Sequence, residues 1–154
     1  MTSSPEPLTT ADLVVLDASG DDTRGIVGAL ASRLAEQSRV TDTDAFVEAV
    51  MKREALEPTA LPGGVAIPHA RHGAVSTLSV AVGRLAAPAV FAEGKPAVDV
   101  VLLIAAPDED PSAYLALLAK IAGACVRSSF RSSLRSAQSP DEVATIVSGA
   151  IGRI

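Results

Sequence analysis

Only two imidazoles occur in the chain, His69 and His72, and both fall in one stretch, Gly63-Gly64-Val65-Ala66-Ile67-Pro68-His69-Ala70-Arg71-His72. Histidine has an ordinary pKa of about 6.5, so near neutral pH it offers an uncharged, nucleophilic ring nitrogen. Such a nitrogen can attack phosphorus directly. The phosphoramidate that results keeps a high transfer potential, because its P–N bond breaks readily. The neighbouring residues can manage the charge that arrives. Gly63 and Gly64 permit close backbone approach, so that exposed N–H groups face phosphate oxygens. Arg53, Arg71 and the Thr59 hydroxyl are further donors, and Pro68 fixes the backbone just before His69. A zinc pair made of His69 and His72 has no third ligand at a metal-motif spacing. Neither a metal nor a cofactor is therefore expected, and His72 reads as a solvent-facing loop residue. Arg53 has a second reading, as an ion-pair partner of Glu54 or Glu57. Asp99 reads as a carboxylate that tethers a loop.

These residues need a frame, and the apolar pattern supplies one. Residues 13–16 form a short apolar run before the Ser19-Gly20 turn and read as a first strand. Asp21 and Asp22 can cap the first turn of a helix that runs through Gln37 on Ile26, Leu30 and Leu34. A second helix is expected over 42–56, with Phe46, Val47, Val50 and Met51 inward. Residues 58–64, with two prolines and two glycines, are a loop feeding a strand at 65–67 that Pro68 ends. Further strands are expected at 78–85 and 97–106, the latter apolar enough to be covered on both faces. A helix over 113–127 follows, with Leu117, Leu118, Ile121 and Val126 inward, and then a shorter one over 130–137. Ser139-Pro140-Asp141-Glu142 is a strong helix start, leading to Ile151. Strands and helices interleave, so the expected fold is an α/β layered domain.

Composition narrows the function. With 154 residues and 48% hydrophobic content, the chain fits a single globular domain over 11–154, preceded by a flexible arm over 1–10. The net charge of −5 argues against a nucleic-acid role, which needs clustered cations. The single cysteine, Cys125, excludes an intrachain disulfide and reads as a buried small hydrophobe. No run of 18 apolar residues and no signal-peptide pattern occurs, so a cytoplasmic protein without membrane insertion is expected.

The segment Arg53-Glu54-Ala55-Leu56, then Thr59-Ala60-Leu61-Pro62-Gly63-Gly64-Val65-Ala66-Ile67-Pro68-His69-Ala70-Arg71, resembles the enzyme IIA domains of the fructose/mannitol type. These belong to the bacterial phosphoenolpyruvate-dependent sugar phosphotransferase system and have the nitrogen-regulatory IIA proteins as relatives. Residues 98–107 resemble the family's central strand and 114–121 its following helix. The resemblance implies that His69 is phosphorylated, on Nε2, by the small histidine phosphocarrier protein HPr. It implies that the phosphate passes to a cysteine of a IIB component, that sugar specificity lies in a membrane component, and that the α/β fold is three-layer, a mixed central sheet with helices on both faces. Members usually carry a second active-site histidine at the start of the helix after the central strand. Here the matching position is Tyr114, with Ser112 or Ala113 as alternative registers. A phenol can donate one hydrogen bond to a phosphate oxygen but cannot become cationic. Three roles fit these residues: a sugar-transport phosphocarrier, a regulatory phosphocarrier, and a binding module that transfers phosphate poorly.

Overall fold

The run AVDVVLLIAA at 97–106 has one charged residue in ten, and such a segment is stable only where both of its faces are shielded from water. In the computed structural model, which describes residues 7–20, 22–109 and 111–151, it is an interior strand of a six-stranded mixed sheet. The elements run β1 (Val14–Ala18), α1 (Thr23–Glu36), α2 (Thr43–Leu56), β2 (Ala60–Leu61), β3 (Val65–Ala66), β4 (His69–Arg71), β5 (Ser79–Val90), β6 (Ala97–Ala106), α3 (Pro111–Cys125), α4 (Ser128–Ser136) and α5 (Pro140–Ile151). The strand order is β1-β5-β6-β3-β2, with β4 also paired to β6. β1 is parallel to β5, β5 antiparallel to β6, and both β3 and β4 are parallel to β6.

Side chains alternate across a strand, and β6 divides its apolar residues accordingly. Val101, Leu103 and Ala105 join a core with α1 and α2. Val100, Leu102 and Ile104 join a second core with α3, α4 and α5. The chain is thus the expected three-layer α/β domain with helices on both faces of a mixed sheet. The helix starts follow side-chain caps. Asp22 accepts from Gly25 N–H at 2.8 Å, Asp42 from Ala45 N–H at 3.1 Å and Ser139 Oγ from Glu142 N–H at 3.1 Å. Asp21 lies outside the described residues. No single helix among the described residues is long and apolar enough to cross a membrane.

Several local expectations change. The strand expected at 65–67 ends at Ala66, before Pro68, as the proline suggested, but pairing to β6 does not stop there. The proline has no N–H to give, but its carbonyl still accepts from Ile104 N–H at 3.0 Å. Pairing to β6 therefore resumes at His69, which faces Ile104 in register. The expected strand at 78–85 extends to Val90 across a register shift between Arg84 and Ala89, where Pro88 is tolerated because the ladder is already broken. Val126 lies beyond the end of α3 and is 72% exposed rather than inward. Of the arm expected over 1–10, residues 1–6 lie outside the described residues. Residues 7–10 are tied down: Val80 N–H donates to the Leu8 carbonyl at 2.7 Å, Arg39 donates to the Pro7 carbonyl at 2.9 Å, and Thr9 is buried.

Candidate functional site

The short strand β4 sets the position of His69. Ala70 belongs to the core shared with α1 and α2, so alternation turns His69 and Arg71 toward the α3 layer. Register places them against Ile104 and Ala106, at the carboxyl end of β6. α3 begins five residues beyond Ala106, and its first turn carries Tyr114. The His69 and Tyr114 rings meet there with centroids 6.0 Å apart and planes tilted by 50°, within the usual range for an aromatic pair.

The imidazole is only 5% exposed. Its Nδ1 lies 2.7 Å from the Ile67 carbonyl oxygen. A carbonyl can only accept, so Nδ1 carries the proton and Nε2 presents its lone pair. Burial is the largest influence on its proton affinity and lowers its pKa. The Ile67 hydrogen bond opposes this, the Arg53 charge reinforces it, and the Glu54 charge opposes it again. The balance is downward, so the ring is neutral at pH 7 and nucleophilic at a defined atom. Tyr114 is held above its ordinary phenol pKa, first by burial, while Arg53 and Arg71 pull it down. Tyr114 thus stays a neutral donor, and both arginines are near enough to act on it.

The remaining sequence candidates separate into those near His69 and those elsewhere. Arg53 is half-buried at the end of α2 and donates to the Glu57 carbonyl at 3.0 Å; it does not pair with the Glu54 carboxylate. Arg71 is exposed on β4. Thr59 is not a free donor: its hydroxyl and its N–H both point at Glu54, at 2.8 and 2.7 Å. Gly64 is not at the imidazole either. Its neighbour Val65 pairs with Val100 and His69 with Ile104, and four strand residues separate the two by roughly 13 Å. Gly63 and Gly64 instead have left-handed φ values of 98° and 84°. Gly63 makes room for the Arg131 side chain and Gly64 for Arg135; Arg135 donates to the Gly63 carbonyl and holds both Asp99 carboxylate oxygens at 2.8 Å. Asp99 thus tethers this loop through Arg135. His72 accepts from Ala74 N–H through Nδ1 at 2.9 Å, the opposite tautomer to His69. Burial pushes the Cys125 thiol up to about 11, far from thiolate chemistry.

Glu54 entered the sequence reading only as an ion-pair partner for Arg53 and within the family-like segment, with no role of its own. It is a buried carboxylate, 6% exposed, five residues before the threonine it binds. A glutamate in a last helical turn followed by Pro and Thr was the available signal, but it resembles an ordinary surface acid until the loop closes over it.

Residues 7–149 match the family described as phosphoenolpyruvate-dependent sugar phosphotransferase system, EIIA 2. The chain is 34% identical over 139 residues to the PTS system 2-O-alpha-mannosyl-D-glycerate-specific EIIABC component of Escherichia coli strain K12, covering 88% of this chain and 21% of that protein. It therefore spans about a fifth of the length of that relative. Among solved structures, nitrogen regulatory protein IIA-Ntr from Neisseria meningitidis superposes with a TM-score of 0.82 at 28% identity, over 91% of this chain and 96% of that one. Enzyme IIAMTL from Escherichia coli, in its complex with phosphorylated enzyme IIBMTL, shares the fold with a TM-score of 0.75 at 20% identity, over 92% of this chain and 97% of that one.

Proposed function

Because the chain belongs to the EIIA 2 family of the phosphoenolpyruvate-dependent sugar phosphotransferase system, and so is a phosphotransfer component, we propose that His69 takes a phosphoryl group from HPr and passes it to a IIB component. The observation that carries this reading is the state of the imidazole: buried, neutral, and hydrogen-bonded through Nδ1 so that Nε2 alone is free to attack. In the transfer step the Nε2 lone pair forms a bond to phosphorus as the P–N bond to the donor histidine breaks, its electron pair returning to the donor ring. The new ring is an imidazolium whose Nδ1–H stays on the Ile67 carbonyl. Onward transfer to a IIB cysteine thiolate reverses the bond change and leaves a neutral imidazole.

Arg53 and Arg71 supply positive charge to the arriving phosphoryl oxygens, and Tyr114 supplies one neutral hydrogen bond in place of a second histidine. These partners belong to the cytoplasm, which is where the carrier would act. A regulatory phosphocarrier, with no sugar flux, is the second reading; the likeness to a nitrogen regulatory IIA-Ntr favours it. Both readings require His69 to be phosphorylated, and the poorly transferring binding module does not.

Incubation with phosphoenolpyruvate, enzyme I and HPr, followed by intact mass, tests the carrier. One acid-labile phosphate is expected, lost in His69→Ala and largely kept in His72→Ala. Labelling that survives in His69→Ala removes the assignment, and a wild type that takes no label leaves the binding module.

A further inference from the structure

His72, the second imidazole, has no part in the transfer step above. It follows β4 and lines a surface cavity of about 630 Å³ whose other walls are α1 and α2. Alternation along β4 turns His69 and Arg71 toward α3, so this cavity lies across the strand from the His69 imidazole. Its polar wall holds Arg24 from α1 with Glu48 and Lys52 from α2, and Ala49 and Met51 supply apolar surface. Arg24 and Glu48 are committed to each other through both guanidinium nitrogens. Among the described residues Lys52 has no ion-pair partner. Ala74 N–H donates to His72 Nδ1 at 2.9 Å, so Nε2 carries the ring hydrogen, and no described residue accepts it.

The cavity thus presents two uncommitted donors, an ammonium and a ring N–H, beside a pair whose charges cancel. Leaving the imidazole aside, its walls carry one net positive charge, from Lys52. One charge suits a monoanion. A phosphate dianion exceeds it and faces the Glu48 carboxylate as well. Ligand cavities of this size combine apolar walls with a few polar groups that fix orientation. We propose that this cavity binds a small organic carboxylate with an apolar body. Lys52 and His72 Nε2–H hold the carboxylate, and the body lies against Ala49 and Met51. The proposal does not rest on the carrier reading, and it stands or falls whether or not His69 accepts phosphate.

The test is a backbone-amide NMR titration of the full chain at about pH 7.5, with benzoate, benzamide and inorganic phosphate as separate probes. Benzoate is expected to give saturable shifts centred on Ala49, Lys52 and the turn from His72 to Ala74. Its affinity is expected to exceed that of benzamide, which keeps the ring and loses the charge, by at least about fivefold. Lys52→Gln removes the ammonium. His72→Asn removes the Nε2–H donor and keeps an acceptor for Ala74 N–H. Each is expected to weaken benzoate by roughly three- to tenfold, and Lys52→Gln is expected to leave benzamide within about twofold. The proposal is overturned by benzoate that gives no saturable shift, that binds no tighter than benzamide or inorganic phosphate, or that binds either variant as tightly as the wild type. Shifts centred instead on His69 and Tyr114 also overturn it, since they put the anion at the other face of β4.

Discussion

At the scale of single residues, the proposed transfer depends on one proton. The Ile67 carbonyl holds it on Nδ1, and burial keeps the ring from taking a second. That has a consequence for stability. The folded pKa lies below the unfolded value of about 6.5, so the unfolded chain binds a proton first as the pH falls. His69 therefore costs no stability above about pH 6.5 and destabilises the fold progressively below it. Urea unfolding at about pH 7.5 and pH 5.5 should show a larger loss for the wild type than for His69→Asn; equal losses would mean that the ring is not held neutral. Tyr114 makes a second residue-scale prediction. A neutral hydrogen bond contributes on the order of 0.5–1.5 kcal/mol, and up to about 3 with a charged partner. Tyr114→Phe should thus slow transfer from HPr by between a few-fold and about a hundredfold. Tyr114→His should match or exceed the wild-type rate. Stopped-time labelling of the three proteins separates these outcomes, and a Phe variant as fast as wild type would take Tyr114 out of the site.

At the scale of elements, the glycine loop and the caps matter more than their residue types suggest. Gly64 has φ of 84°, and a Cβ placed there would stand 2.7 Å from an Arg135 guanidinium nitrogen and 3.0 Å from an Asp99 oxygen. Strain at a left-handed position is of order 1–3 kcal/mol, so Gly64→Ala should destabilise the fold by about that much in urea. Its folded fraction should still accept phosphate at His69, because the loop serves β3 and α4 and not the imidazole. Loss of labelling without loss of stability would restore Gly64 to a phosphate-binding role. The cap of α5 gives a smaller effect of the same kind: Ser139→Ala removes the acceptor for Glu142 N–H and should lower stability by ~1 kcal/mol, read as a shift of the urea midpoint without change in slope.

At the scale of the whole molecule, β6 is the partition between two cores. Leu102 packs with α3, α4 and α5, and Leu103 with α1 and α2; both are fully buried. Removing one methylene from either should lower stability by roughly 1 kcal/mol. Because the two side chains share no partners, Leu102→Val and Leu103→Val should add to within ~0.5 kcal/mol in the double variant. Much of this architecture was legible beforehand. The apolar run at 97–106 required a covered strand, the Asp and Ser caps marked where α1 and α5 begin, and the Ala-Ile-Pro-His context singled out His69. Local rules sufficed there, since burial period and cap chemistry act over a few residues. They failed where a long-range partner decided the outcome. Pro68 marked a strand end, but not that a new strand, β4, would pair with β6 just beyond it, with Ile104 N–H on the Pro68 carbonyl. Gly64 and Thr59 looked like phosphate ligands until Arg135 and Glu54 claimed their surroundings. The sequence therefore determined the α/β layering through its pattern, and the three-layer mixed sheet and the candidate nucleophile through its family-like segment. Which nitrogen is free, which charges bear on it and which donors are already committed are decided by tertiary structure, because they depend on groups brought together from β4, α2 and α3 that lie far apart along the chain.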